Sequence, residues 1–347
     1  MATEPVYSTR ERVRAAAGFS ERTDVLVDRA IGASSRIIDA ECHRQFYPET
    51  ATRVFDWPAP QTSRTWRLWL EQNSIISVTS LTVAGTAQTV ASFLLEPAND
   101  GPPFNLIETD LSTSAAWASG STHQRAISIV GLWGYDDVTE SAGTTAEDMT
   151  DSETDLSVTN GGALGVGDLI TIGSERNMVV EVAFEDTAVN TDGTVAAQKN
   201  DTSIPTADES GNAVGETIRI NDEQMEITSI TTGNLNVLRA VNGTVLAAHG
   251  SGDDIYANRL VTVERGATGS TAAASSSGAA ITRQVYPSLI EQWCIAEAVV
   301  QLAQQSAAYA RTAGTADNQR ETVGAGLVDL RDRALSSYAR KHRTSVV

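Results

Sequence analysis

Hydrophobic positions along the chain keep two different periods, and these divide it into a helical start, a long β-rich middle and a helical end. Leu26, Ala30, Ala33, Ile37 and Ala40 recur at spacings of four and three, while Asp24, Asp28, Arg29, Arg36 and Asp39 fall largely elsewhere on the wheel. That spacing predicts an amphipathic helix of about five turns. Thr23 is placed to cap it, with Asp24 in the first turn, and Phe46-Tyr47-Pro48 leads the chain away after Arg44. At the other end, Pro287-Ser288-Leu289-Ile290-Glu291 is a helix start in which Ser288 and Glu291 have the spacing of a capping box. Leu289, Trp293, Ala296, Val300, Ala303 and Ala307 continue the helical period to a stop at Gly314. Beyond a polar, flexible hinge, Leu327, Leu330, Ala334 and Tyr338 predict a last helix from Gly326 to about His342.

In the middle the period falls to two. Trp66, Leu68 and Leu70 alternate with Arg67, Trp69 and Glu71, and Ile127, Ile129, Gly131 and Trp133 alternate with Ser128, Val130 and Leu132. These are strands of a sheet expected to pack on the helices.

An internal repeat lies between Leu156 and Ala273. Val166-Gly-Asp168-Leu-Ile-Thr-Ile172 with Glu175 and Met178 is echoed by Val214-Gly-Glu216-Thr-Ile-Arg-Ile220 with Glu223 and Met225. The second copy closes first, through Leu235-Asn-Val-Leu-Arg239-Ala-Val-Asn-Gly243 and Ala247-Ala-His249. The first copy's matching half, Val261-Thr-Val-Glu-Arg265-Gly-Ala-Thr-Gly269, follows only afterwards. Nesting of one β-module inside the other is the simplest reading, since the termini of a compact module lie close together. A plain tandem, with a weaker match around Gly193-Thr-Val-Ala-Ala197, is the alternative.

Charge sharpens this division. The chain of 347 residues carries a net −19, and Ser141 to Leu260 holds 20 acidic and 5 basic residues, a net −15. Such a surface repels phosphate backbones. Arg331, Arg333, Arg340, Lys341 and Arg343 against Asp332 make a small basic tail. Cys42 and Cys294 are the only cysteines, which gives no disulfide framework and suits a reducing cytosol. No apolar run approaches a membrane span and no leader is expected.

Candidate chemistry is sparse. The acidic cluster Glu147, Asp148, Asp151, Glu153 and Asp155 lacks the spacing and central glycine of a calcium loop and reads as a solvated linker. Gly161-Gly-Ala-Leu-Gly165-Val-Gly167 has no following Lys-Ser or Lys-Thr and reads as turns. His43, His123, His249 and His342 show no metal-ligand spacing. Trp66, Trp69, Trp117, Trp133 and Tyr135 suit a core better than a sugar platform. No enzyme, metal or cofactor is expected.

Taken in order, four segments resemble the head-tail connector (adaptor) family of tailed bacteriophages. They are the helix ending Ile37-Ile-Asp-Ala-Glu-Cys-His-Arg-Gln-Phe46, then Trp69-Leu-Glu-Gln-Asn-Ser-Ile-Ile-Ser-Val78, then Val130-Gly-Leu-Trp133-Gly-Tyr135, and the Pro287 helix. The match is supported by about 190 residues, and about 150 residues intervene where the family's Trp-Gly-Tyr strand leads almost directly into the last-named helix. The inserted modules look like small β-modules of phage structural proteins.

The resemblance implies an α+β fold: a helical-bundle adaptor core with a small β-sheet, plus a large inserted all-β region of two nested β-modules. The adaptor domain would be 1–140 with 286–347, and the insert 141–285. Within the insert, 155–182 with 260–285 would form the outer module and 200–258 the inner one. Leu26, Ile37, Trp133, Trp293 and Val300 are expected to pack the bundle.

The implied function is a virion protein of the neck, made in the host cytoplasm. It would be a homo-oligomeric ring, typically of twelve copies, between portal protein and tail or stopper protein, through which genomic DNA passes without specific binding. No membrane is involved. Leu327, Leu330, Arg331, Ala334, Tyr338, Arg340, Lys341 and Arg343 form the candidate docking arm for the portal or tail, and the acidic insert is expected to face outward. The rival reading is a fibre or decoration protein that binds host glycan through its β-modules; a cell-wall hydrolase has no residues in its favour.

Overall fold

The structure is a computed structural model that describes residues 4–17, 24–58, 64–306, 312–313, 320–321 and 325–340. Two helices open the chain, α1 (Arg10–Ala17) and α2 (Asp24–Cys42). Seven strands follow: β1 (Glu49–Phe55), β2 (Arg67–Trp69), β3 (Ile75–Val83), β4 (Thr86–Gln88), β5 (Phe93–Glu96), β6 (Leu106–Thr109) and β7 (Ile127–Trp133). They pair into two antiparallel sheets, one in the order β1-β7-β3-β4 and one in the order β2-β6-β5. Along β7 the residues alternate strictly between buried and half-buried, as a strand with one face on a core requires. That core is the sheets' own: Leu68, Leu70, Ile75, Leu81, Phe93, Ile107, Trp117, Ile127 and Trp133 pack on one another.

From Gly134 the chain enters a lobe built on a ten-stranded sheet. Its strands are β8 (Thr139–Thr144), β9 (Asp155–Ser157), β10 (Leu169–Ile172), β11 (Glu175–Asn190), β12 (Ser203–Pro205), β13 (Thr217–Ile220), β14 (Glu223–Thr231), β15 (Asn234–Leu238), β16 (Asp254–Glu264) and β17 (Ala280–Gln284). The order is β12-β15-β14-β13-β16-β11-β10-β17-β8, with β9 on β16. The two long strands carry two registers each. The start of β11 pairs with the end of β16 (Val179 with Val263), and the end of β11 pairs with the start of β16 (Asn190 with Asp254).

The pairings repeat across the lobe. Leu169–Ile172 faces Glu175–Met178 as Thr217–Ile220 faces Glu223–Glu226. Two separate apolar clusters result. One holds Leu156, Ile170, Ile172, Val179, Val261, Val263 and Ile281, and the other Ile204, Ile218, Ile220, Met225, Ile227, Val237 and Ile255. By this register Asn177, not Met178, is the counterpart of Met225, so the pairing of the two methionines suggested by the sequence is one residue off.

The chain leaves the lobe where it entered, since Val285 N–H donates to Val138 O at 2.8 Å. It then forms α3 (Ser288–Ser306) and, after a backbone pairing of Thr312–Ala313 with Arg320–Glu321, α4 (Ala325–Tyr338). The rest of the predicted hinge, and Thr23, lie outside the described residues. The two long helices pack with α1 and α4 around Tyr7, Val27, Ile31, Ile38, Phe46, Ile290, Trp293, Ala298 and Leu302.

The expected α+β fold with a helical-bundle core does not form. The protein is mostly β, with 37% strand against 22% helix, four helices among the described residues and a sheet of ten strands. The reason is that the strands following α2 bury one another's apolar faces instead of covering a bundle. Trp133 accordingly lies in the sheet core and not among the helices.

The helix faces also turn relative to the expected stripes. On α2 the buried positions are Val27, Ala30, Ile31, Ser34, Ser35, Ile38 and Cys42, while Leu26 and Ile37 are half-buried. Ser34 and Ser35 are admitted because their hydroxyls donate to Ala30 O (2.8 Å) and Ile31 O (2.9 Å) one turn back. A search for apolar spacing passes over them. On α3, Trp293 is fully buried and Val300 only half-buried. Glu291 N–H donates to Pro287 O at 3.1 Å, and its carboxylate pairs with Arg12 across to α1.

Candidate functional site

The predicted docking arm is α4, and most of its apolar face is spent on its own chain. Ala334 is fully buried, and Leu327, Leu330 and Tyr338 pack against the helical core. The Tyr338 ring meets Phe46 and Tyr135 edge-on, with centroids 6.2 and 5.8 Å away. Arg331 pairs with Glu41 at 2.8 Å. Arg340 donates from its backbone N–H to Cys42 O (3.0 Å) and from its guanidinium to Asn73 O (3.2 Å). Burial and the neighbouring Arg44 push the Arg340 guanidinium down from its ordinary value. Lys341 and Arg343 lie outside the described residues. The outward face of α4 offers Val328, Asp329, Asp332 and Arg333.

The lobe is seated on the base at three places. The first is the entry and exit pair of strands, where Gln284 Nε2 donates to Asp136 at 3.2 Å and burial lifts the Asp136 carboxyl to about 6. At the second, Arg10 N–H donates to Val166 O and Val166 N–H to Glu11 Oε2, both at 3.0 Å. Gly165 is needed there, since a Cβ would stand 2.4 Å from Glu11 Oε2 and 2.9 Å from the Thr9 Cβ. At the third, the turn at Thr268-Gly269 rests on β1: Arg176 Nη2 donates to Thr50 Oγ1 at 2.6 Å, and a Cβ on Gly269 would lie 2.2 Å from Thr50 O. A cavity of about 200 Å³ at this junction is lined by Ser8, Arg12, Asp168, Arg283 and Tyr286. Burial lifts Asp168 there to about 6, against the opposing pull of Arg283, whose Nη1 stops 3.8 Å away.

Sequence reasoning missed the strongest polar devices in the molecule, which are two equivalent carboxylate clasps. Glu175, 1% exposed, accepts Nε and Nη2 of Arg265 (2.7 and 2.6 Å) and the N–H groups of Gly266 and Ala273 (both 3.0 Å). Glu223, fully buried, accepts Nε and Nη2 of Arg239 (both 2.7 Å) and the N–H groups of Ala240 (3.1 Å) and Ala247 (2.9 Å), with His249 Nε2 at 2.9 Å. Burial alone would raise the Glu223 carboxyl, but Arg239, the Ala247 N–H and His249 outweigh it and hold it at about 2. Bidentate pairs closed by backbone donors are the form in which a buried charge is tolerated. The signal was present in the repeat, because both copies place Glu seven residues after the Val-Gly-Asp/Glu acid and both close on Arg.

The clasped carboxylates are closed off by protein donors. Trp117 and Trp133 are core residues, 1% and 0% exposed. Among the described residues no group of three or more His, Cys, Asp or Glu is placed to hold a metal ion, and no helix is long and apolar enough to cross a membrane.

In the lobe, Arg239 and Arg259 are taken up by Glu223 and Glu216, Arg219 lies over the rings of Phe184 and Tyr256, and Arg176 is bound in its turn. Of the five cations between Ser141 and Leu260, all among the described residues, Lys199 alone is exposed. The outer surface is thus strongly acidic. Comparison with protein-family models, with curated proteins and with solved structures finds no match to this chain.

Proposed function

We propose that the chain is a structural subunit of a phage neck. In this reading it is a head-tail connector whose base joins like copies into a closed ring between portal and tail, with the acidic lobe carried on the outside. The observation that supports this most is convergence. The segments that carry the resemblance divide between two adjoining clusters: Ile37 to Phe46, Tyr135 and the helix after Pro287 belong to the helical one, and Trp69 to Val78 with Val130 to Trp133 to the sheets' own. The clusters meet where the Phe46 and Tyr135 rings lie 5.3 Å apart at a tilt of 47°, and where Gln45 Nε2 lies 3.5 Å from Trp133 O. The lobe leaves and re-enters that base through hydrogen-bonded neighbours, Val138 and Val285, so an insert of this size need not distort the base.

A ring works by shape and by contacts that close on themselves, which requires no reacting group. A surface of strong negative charge keeps the lobe away from the DNA that a neck must pass. Within the lobe, one β-unit is inserted at the hairpin of another, and each retains its own core.

The test is a mass measurement on the purified protein, alone and with portal particles. Twelve copies of the 36.8 kDa chain would weigh about 440 kDa. A protein that stays monomeric in both conditions, or that electron microscopy of the virion places away from the tail vertex, ends the proposal.

A further inference from the structure

The acid that follows Val-Gly in each copy is saturated in one copy and left open in the other. In the second copy Glu216, fully buried, accepts Nε and Nη2 of Arg259 (2.7 and 2.8 Å) and the N–H groups of Gly161 (3.1 Å) and Ala213 (2.8 Å). Asp168 holds the matching place, since Val179 N–H donates to Asp168 O as Ile227 N–H does to Glu216 O, both at 2.9 Å. Asp168 is 7% exposed, yet among the described residues its carboxylate accepts one hydrogen bond, from Gly165 N–H at 2.8 Å. Arg283 does not close the gap. It donates to Glu140 (2.5 Å) and the Ala163 carbonyl (2.9 Å), and its Nη1 stays 3.8 Å from Asp168.

This open acid lies where lobe and base meet. The cavity beside it is walled by Ser8, Arg12, Glu140, Arg283, Tyr286 and Glu291, so the N-terminal segment, α1, β8, β17 and α3 all face it. Ser8 Oγ and Tyr286 OH are buried there without a hydrogen-bond partner among the described residues. The neighbouring charges do little for Asp168: Arg12 is paired with Glu291, Arg283 with Glu140, and Glu11 adds a carboxylate from the α1 side. A buried carboxylate short of donors favours the proton, and burial is what lifts this one to about 6. The backbone bonds that seat the lobe are close by. Val166, bonded to Arg10 and Glu11, is two residues from Asp168, and Val285, bonded to Val138, lines the cavity.

We propose that Asp168 is a proton-operated latch between lobe and base: the lobe is seated while the carboxyl is neutral, and ionisation releases it. An ionised carboxylate gains hydration when the seat opens, and the neutral acid gains far less. Because the seated value is raised above 3.8, the extra stability of the seat is complete below pH 3.8 and is lost as pH rises through 6. With the released carboxyl at 3.8 and the seated one at about 6, opening becomes about 60-fold more favourable between pH 4 and pH 8. Glu216 forms no such latch, since its donors come from within the lobe. The latch lies within one chain and stands whether or not copies close into a ring.

The experiment follows amide hydrogen exchange of the full chain from pH 4 to pH 8, with intrinsic rates divided out. Protection of the Val166 and Val285 amides is expected to fall about 60-fold across that range, while the Ile227 amide of the second copy changes far less. In Asp168→Asn, neutral at every pH, the fall should vanish. In Asp136→Asn, which removes the other carboxyl of the joint that burial lifts to about 6, it should persist. The wild type is also read directly, through the carboxyl carbon signal of Asp168 in ¹³C-labelled protein, which should titrate near 6 in step with the loss of protection. Protection that does not respond to pH, a fall that survives Asp168→Asn or disappears with Asp136→Asn, or a carboxyl signal that titrates near 4 overturns the proposal.

Discussion

The clasp at Glu223 is where a single substitution should be most costly to the lobe. Arg239 is 2% exposed, and all five of its N–H groups are used: two on Glu223, and the others on the carbonyls of Ala196 (3.2 Å), Asp201 (3.0 Å) and Ala247 (2.6 Å). Arg239→Met keeps much of the volume but leaves the Glu223 carboxylate buried with only the Ala240 and Ala247 N–H groups and His249. Removing one partner of a buried ion pair costs about 3–5 kcal/mol. Arg239 acts on that carboxyl together with the Ala247 N–H and His249. The carboxyl's descent from 4.5 to about 2 corresponds to about 3 kcal/mol of folded-state preference for the charged form.

Because that value is depressed, the contribution is present above pH 4.5 and is lost as pH falls toward 2. The assay is native-state hydrogen exchange followed residue by residue at neutral pH, with urea titration of the same samples. The amides of β13, β14 and β15 should lose about 3–5 kcal/mol of protection. Amides of β10 and β17 should change far less, since their core is separate. In the variant the acid loss of these strands should begin at higher pH. Arg239→Lys, which keeps the charge but loses the fork, should fall between. Protection lowered by less than about 1 kcal/mol, or lowered equally across both clusters, would refute the argument that the clasp organises its own copy.

Three further outcomes are expected. Asn177 is fully buried with neither Nδ2 nor Oδ1 partnered among the described residues, where the other copy has Met225, so Asn177→Met should raise the lobe's stability by about 1–3 kcal/mol in urea titration. Asp168 is raised from 3.8 to about 6, so its contribution is complete below pH 3.8 and lost as pH rises through 6. Asp168→Asn should therefore flatten stability against pH across that window by about 3 kcal/mol relative to wild type, and parallel curves would contradict the assignment. Joining Ala183 to Leu260, which pair across the sheet, by Asn-Gly removes the whole second cluster and none of the first. The shortened protein should fold with protected β10, β11 and β17 amides, and a molten product by near-ultraviolet circular dichroism would show that the copies depend on each other.

Sequence pattern alone revealed that the long elements exist and of which type they are, because α2 and α3 repeat apolar residues at a helical period and β7 at a strand period. It also exposed the repeat, since Val-Gly-Asp/Glu, the Glu seven residues later and the closing Arg recur at fixed spacing. What it left open is set by contacts between distant segments. Which face of α2 turns inward depended on Ser34 and Ser35 satisfying themselves against their own helix, which apolar periodicity does not register.

Whether Trp133 belonged to helices or to a sheet depended on β3, β6 and β7 covering one another, and that pairing outvoted the expected bundle. On α4, the segment expected to be a docking arm, Tyr338 meets Phe46 and Tyr135, which lie some 200 to 290 residues away in the chain. The buried Glu–Arg clasps are the extreme case: charged residues signal surface in a sequence, and only a fold that supplies every donor at once makes the interior the lower free energy.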